Sequence, residues 1–327
     1  TRTIAVPCSG EMFSLAQKLF GVVHHASPAT VHSMDRWGRQ KGMLFPYEQG
    51  TRGAIKWIDY FGYAGGETTA MEHPVLLTGG ASGVGEATAD LLLKRGHKVI
   101  SIDVKPFTTS SFEQHHCDLS DPASIDAALA KLPGPYSSLL NVAGVPMAVG
   151  NELTMKVNYF GLRYFTERVF GRIANGGTVV NVASIAGNNW RKRRGYLSEL
   201  MTIEDFDAGV AWWRENEEAL GTDAYTFSKE AVVVYTMALA GKGLARGIRV
   251  NDVGPGPVDT PILPDFTNDV GPENMQMLID TIGRPAQPVD IAEALVTLAE
   301  GQISWLNGQH IIVDGGLMAG ISSGWKR

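Results

Sequence analysis

Apolar side chains recur along this chain with two alternating periods. From residue 73 on, short apolar runs of strand length alternate with longer stretches whose apolar positions fall three and four apart. The runs at 74–78, 98–103, 137–142, 178–184, 248–253 and 308–313 read as strands, and another ends at Cys117. Helical stretches lie between them at 84–95, 153–174, 222–245, about 269–282 and 289–300. One more helix opens at Asp121-Pro122-Ala123, with Asp as N-cap and Pro in the first turn. Gly96 closes the first helix, and Asn175-Gly176-Gly177 closes the one at 153–174. This alternation predicts an α/β fold: one doubly wound parallel sheet of about seven strands with helices on both faces. The run Thr178-Val179-Val180-Asn181-Val182-Ala183 is almost continuously apolar, as a strand covered on both sides requires.

Residues 1–70 follow a different rule. The stretch 12–25 has apolar residues at helical spacing, and glycine-rich turn sequences follow at 35–42 and 63–67. No chemistry is visible there. The segment is expected to be an N-terminal extension, either an arm that packs on the main domain or on a neighbouring subunit, or sequence upstream of a start at Met71. Because the first residue is Thr1, the chain reads as processed, truncated or a fragment. The main domain is then 71–327.

Composition narrows the function classes. With 44% hydrophobic and 19% charged residues, the chain is globular rather than disordered. A net charge of −6 gives no reason to expect nucleic acid as a partner. Cys8 and Cys117 are too few for a disulfide scaffold and suit the reducing cytoplasm. No apolar run reaches the roughly 18 residues needed to span a bilayer, and no secretory signal pattern opens the chain. The adjacent pairs His24-His25 and His115-His116 do not face one site, so no metal is expected.

Two stretches carry the chemistry. The strand at 74–78 runs into Thr78-Gly79-Gly80-Ala81-Ser82-Gly83-Val84-Gly85 and then a helix, the context of a dinucleotide-binding turn. Gly79 permits the tight turn, Gly83 lets backbone approach a pyrophosphate, and Gly85 lets the helix close on the strand. The helix start offers N–H groups and a positive dipole end to phosphate. Asp103 ends the second strand, where a carboxylate accepts hydrogen bonds from a ribose diol and repels a 2′-phosphate. That favours NAD over NADP, although Arg95 and Lys105 lie near. In Tyr225-Thr226-Phe227-Ser228-Lys229, helical spacing puts Tyr225 and Lys229 on one face. An ammonium beside the phenol is expected to lower its pKa and make it a usable acid and base.

From about residue 73 to 327, these motifs and their order resemble the classical short-chain dehydrogenase/reductase family, with its Rossmann-type sheet. The cofactor loop matches through Gly79, Gly83 and Gly85, with Ser82 and Val84 between and beside them. The resemblance implies an adenine contact at Asp118-Leu119. It implies a further cofactor segment at Asn141-Val142-Ala143-Gly144, where Val142 stands in place of a second Asn. A nicotinamide-holding segment is implied at Pro255-Gly256 and Thr260, with the backbone of Val258 between them. It also implies a catalytic tetrad of Asn158, Ser184, Tyr225 and Lys229. In that scheme Tyr225 moves the proton and Ser184 orients the substrate oxygen. Lys229 depresses the tyrosine pKa and holds the nicotinamide ribose, and Asn158 fixes a water linking Lys229 to solvent.

Forty residues separate Ser184 from Tyr225, far more than in many family members. The excess, at about 190–221, includes a helix-like stretch at 203–220 with Phe206, Val210 and Trp213 on one stripe. It is either a lid or an interface. The basic run Trp190-Arg191-Lys192-Arg193-Arg194 either is a solvated face or borders the substrate mouth. The insert and the Lys156–Gly161 segment resemble bacterial 3α-hydroxysteroid dehydrogenase/carbonyl reductases, in which the insert alters subunit association. The expected activity is NAD-dependent interconversion of a secondary alcohol and a ketone on a hydrophobic, steroid-like substrate, in a homo-oligomer. A non-catalytic dinucleotide sensor and an epimerase or dehydratase on the same fold are the alternatives.

Overall fold

The computed structural model describes residues 72–108 and 111–325. The expectations for 1–70, including the helix at 12–25, lie outside the described residues.

Seven strands form one sheet: β1 (Val75–Thr78), β2 (Val99–Asp103), β3 (Glu113–His116), β4 (Tyr136–Asn141), β5 (Ile173–Val182), β6 (Arg249–Pro255) and β7 (His310–Val313). All pairs are parallel, and the spatial order is β3-β2-β1-β4-β5-β6-β7. Side chains alternate across the sheet and feed two cores. Val75, Leu77, Leu140, Val180 and Val253 face one side, where they meet α1 (Gly83–Lys94) and α10 (Pro288–Ala299). Leu76, Leu139, Val179 and Val250 face the other, under α2 (Pro122–Leu129), α4 (Leu162–Phe170) and α7 (Ala224–Gly243). Full burial of each Val, Leu, Ile or Phe contributes about 1.5–3 kcal/mol. These two cores, rather than helix caps, therefore hold the sheet. The chain winds outward from β1 in one direction and from β4 in the other. The C-terminal ends of β1 and β4 consequently border the crevice in which such sheets bind ligands.

A row of polar groups crosses the sheet on the α7 side. Asn141, Asn181, Asp252 and His310 are register neighbours on β4 to β7. Asn141 Nδ2 donates to Asn181 Oδ1 and to Thr166 Oγ1, each at 2.8 Å, and Asn181 Nδ2 donates to Thr236 Oγ1 at 2.9 Å. The His310 ring pairs with the buried Asp252 carboxylate.

Several boundaries differ from the periodicity. The stretch expected as one helix at 153–174 is α3 (Asn151–Met155), a π-helical turn (Lys156–Gly161) and α4. The helix stops early because the backbone at Arg172 pairs with Tyr136 and hands the chain to β5 at Ile173. The insert holds two helices after a 3₁₀ helix (Ile185–Arg193): α5 (Arg194–Thr202), which was not expected, and α6 (Phe206–Asn216), which falls inside the stretch expected at 203–220. Asp205 starts α6 afresh by accepting from Ala208 N at 2.8 Å. A further helix, α8 (Leu263–Val270), precedes the one expected at about 269–282, which is α9 (Pro272–Ile282); Gly271 with φ +93° and the following proline separate them. A short α11 (Leu317–Ser323) closes the described chain. Among the described residues no helix is long and apolar enough to cross a membrane.

Candidate active site

A cavity of about 770 Å³ opens at the C-terminal ends of the central strands. One end is built by the glycine turn. Gly79 sits at φ +79°, and a Cβ there would lie 2.6 Å from Ala143 Cα. At Gly85 a Cβ would lie 1.9 Å from Gly79 O, so only glycine lets α1 start this close to the turn. Ser82 precedes α1 without a side-chain cap bond, and Ser82, Val84 and Gly85 line the cavity. The helix dipole and first-turn N–H groups there suit a phosphate. Asp103 ties β2 to this turn: its carboxylate accepts from Ala81 N at 3.0 Å and from Lys105 N at 2.9 Å. Asp118 is fixed by Ser120, whose N and Oγ donate to its Oδ1 at 2.8 and 2.7 Å. Asp103, Asp118, Leu119, Ala143, Gly144, Pro255, Gly256, Val258 and Thr260 all line the same cavity. A glycine turn packed too closely for any Cβ, a helix start with free N–H groups and a carboxylate at the end of β2 together fit a nicotinamide dinucleotide.

Two expected contacts lie elsewhere. Asn141 does not line the cavity; its side chain is buried in the cross-sheet row, because a polar group at the end of β4 finds its partners in Asn181 and Thr166. Gly83, at φ +58°, is not itself on the wall although it lies between the wall residues Ser82 and Val84; a Cβ there would sit 3.2 Å from Thr260 Cγ2.

Ser184, Tyr225 and Lys229 meet at the other end. Ser184 follows β5, caps the 3₁₀ helix by accepting from Ala186 N at 3.2 Å, and lines the cavity. Asp223 caps α7 through Thr226 N at 2.7 Å, which places Tyr225 and Lys229 in its first turns. Lys229 Nζ donates to Val182 O at 3.0 Å and lies 5.6 Å from the Tyr225 ring centre. Phe266 of α8 stands edge-on to Tyr225 at 4.9 Å.

The electrostatics differ from the expectation. Burial pushes the Tyr225 phenol up to about 12, opposed by its hydrogen bond with Ser184 and aided by Asp223. Burial also pushes Lys229 down to about 8, against the pull of the Asp252 carboxylate. Burial dominates at both groups, and what lowering Tyr225 receives comes from Ser184 rather than from Lys229.

Asn158 sits in the π turn, fully buried and off the cavity wall. Its Oδ1 accepts from Val145 N at 2.8 Å and its Nδ2 donates to Val145 O at 2.9 Å. This side chain clamps the segment after β4 that forms part of the wall.

The basic run does not border the cavity. Arg193 pairs with buried Glu230, Arg191 stacks on Trp190, and from this neighbourhood only Asn189 reaches the wall. No residue from 190 to 221 lines the cavity, so the insert is not a lid here. The outer wall comes from α8 and α9, through Leu263, Phe266, Val270, Met275 and Leu278. Sequence reasoning missed this wall. Its signal was an apolar stripe directly after the Pro- and Gly-rich loop that follows β6. Among the described residues no cluster suited to a metal ion is found.

Comparison with known proteins agrees with this geometry. The short chain dehydrogenase family profile matches residues 73–196, and a profile described as enoyl-(acyl carrier protein) reductase matches 212–318. Coniferyl-alcohol dehydrogenase of Pseudomonas sp. strain HR199 is 38% identical over 74% of this chain and 95% of its own length. The chain belongs to the short-chain dehydrogenase family. This short-chain dehydrogenase is also 26% identical to the 3-alpha-hydroxysteroid dehydrogenase/carbonyl reductase of Comamonas testosteroni, over 75% of this chain and 96% of that one. Among solved structures it resembles the 3-alpha-hydroxysteroid dehydrogenase of Pseudomonas sp. B-0831 complexed with NADH. The TM-score is 0.63 at 29% identity, over 77% of this chain and 99% of that one. Family membership makes it an oxidoreductase that binds a nicotinamide dinucleotide.

Proposed function

We propose that this chain is an NAD-dependent dehydrogenase that interconverts an uncharged, hydrophobic alcohol with its carbonyl compound. The observation that carries this reading is the convergence of Ser184, Tyr225 and Lys229 on the cavity that also holds the glycine turn. The dinucleotide, when bound along Gly79, Ser82, Gly85 and Asp103, supplies the hydride donor or acceptor. The residues of the chain handle the oxygen and its proton. Ser184 donates a hydrogen bond to the substrate oxygen as negative charge develops there. Tyr225, protonated at neutral pH with a pKa near 12, gives its proton to that oxygen during carbonyl reduction. Alcohol oxidation uses the phenolate, so oxidation rises with pH and reduction falls. Lys229 lies beside the phenol and is held by the Val182 carbonyl.

Asp103 supports NAD over NADP, because a carboxylate at the end of β2 opposes a 2′-phosphate. Asp265 and Asp269 on the α8 wall, with no Arg among the described residues that line the cavity, argue for a substrate without a carboxylate. The apolar wall and the edge of Phe266 suit a ring-bearing alcohol of the kind named for the relatives, aryl-allylic or steroidal. Two cysteines in 327 residues suit the cytoplasm, and a homo-oligomer is the assembly proposed by analogy with the family.

The test is NAD-linked turnover of a panel containing coniferyl alcohol, a 3α-hydroxysteroid and the matching carbonyl compounds. Tyr225→Phe should lose about 10²–10⁴-fold in kcat while NADH affinity, read by fluorescence titration, stays unchanged. Full turnover in that variant overturns the assignment. NADH binding without turnover of any carbonyl compound would favour the sensor reading.

A further inference from the structure

The segment after Ser184 is unusual. It runs as nine residues of 3₁₀ helix, Ile185–Arg193, where 3₁₀ runs longer than three or four residues are uncommon. Such a run needs outside support, and α7 supplies it at two points. Near its start, Gly187 lies flush on the catalytic helix: a Cβ there would sit 2.9 Å from Lys229 O and 3.0 Å from Val233 Cγ2. At its end, Arg193 Nε and NH2 donate to the two carboxylate oxygens of Glu230, both at 2.6 Å. Glu230 is fully buried and follows Lys229 directly in the chain, and the Arg193 side chain is 15% exposed.

Stability alone gives little reason for this pair. Replacing a buried ion pair by apolar residues of similar volume is often neutral or stabilising, because desolvation offsets the attraction. A two-pronged Arg–carboxylate contact does, however, fix geometry in a way that apolar packing does not. The two elements it joins are those that carry the catalytic groups: Ser184 caps the 3₁₀ helix, and Tyr225 and Lys229 stand on α7.

We propose that Arg193 and Glu230 are positioning residues that lock the 3₁₀ helix against α7 and so set Ser184 against Tyr225. Neither lines the cavity. The inference rests on the roles given above to Ser184 and Tyr225. It also makes Arg193, near the start of the insert, part of the active-site frame.

The test uses the full chain with Glu230→Gln and Arg193→Lys. Each variant is examined by a crystal structure, thermal unfolding, NADH fluorescence titration and pH profiles of alcohol oxidation. The titratable groups near Tyr225 are Asp223 and Lys229, with Asp265 and Asp269 also lining the cavity, and both variants leave these and the hydrogen-bonding Ser184 in place. Expected for Glu230→Gln is a displaced Ser184 and a kcat lower by about tenfold to 100-fold, with KM and NADH affinity within about twofold of wild type. Because Ser184 favours the phenolate, the rising limb of the oxidation profile should also move to higher pH. Arg193→Lys, which keeps the charge but loses the second prong, should fall between that variant and wild type. It also decides the matter if Glu230→Gln does not fold. A lower melting temperature with Ser184 unmoved, and kcat and pH profile as in wild type, overturns the proposal. The crystallographic distance between Ser184 and Tyr225 reads the positioning without turnover. Failure of the substrate assignment, seen as an inactive wild type, is thereby distinct from failure of this inference.

Discussion

Lys229 shows how depth competes with charge at a single residue. It is 4% exposed, and the loss of water lowers its pKa from 10.5 to about 8. The folded value lies below the unfolded one, so between those two pH values the unfolded chain binds more protons and stability rises with pH. Below about pH 8 the buried ammonium costs on the order of 3 kcal/mol, taken as the shift at about 1.4 kcal/mol per pH unit. Lys229→Met should therefore be more stable than wild type at pH 7, less whatever the lost bond to Val182 O contributed. The advantage should fade between pH 8 and 10.5. Urea denaturation at pH 7, 9 and 10 measures it, and a gap independent of pH would contradict the burial argument. The sequence placed Tyr225 and Lys229 on one face correctly, because that needs only helical spacing. Their ionisation needed the depth of the site, and spacing carries no information about depth. Asn141 illustrates the same limit: its motif was visible, but which side of the sheet it faced depended on Asn181 and Thr166, far away in the chain.

The insert is the element whose meaning changed most. Its stripe of Phe206, Val210 and Trp213 was legible and is buried. The helix before it, α5, was not, and the boundary between the two is set by one cap at Asp205. Nor was its docking: Arg163 of α4 reaches across to donate to Leu200 O and Met201 O, both at 3.3 Å, at the end of α5. The insert is thus built into the α4 and α7 side of the domain and stays clear of the cavity. Trp213→Ala should cost about 3–5 kcal/mol in urea denaturation while NADH affinity is unchanged, because Trp213 is 2% exposed and off the cavity wall. A large loss of NADH affinity in a folded variant would mean that the insert does touch the site's working state. The α8–α9 wall went unrecognised for a related reason. Its apolar residues have the same periodicity whether they face a core or an open chamber.

At the scale of the whole molecule, the order of strands and helices was readable from residue 73 onward. The central strands are buried runs, and the crossovers other than the one from β2 to β3 carry a helical stripe, so local pattern and global fold agree. A ligand that binds the native sheet alone stabilises it by mass action, about 2.7 kcal/mol at a hundredfold excess over Kd. NADH should consequently raise the melting temperature more than NADPH at equal concentration. Equal shifts would remove Asp103 as the discriminating group. The line of Asn141, Asn181, Asp252 and His310 has a consequence for how the sheet assembles. If any of these strands slid by one position, its amide, carboxylate or imidazole would be thrust among Leu77, Ile291 and Leu295 with nothing to bond. Mispaired sheets are thereby penalised before a single cofactor arrives, and the strand ends that carry the catalytic loops come out level.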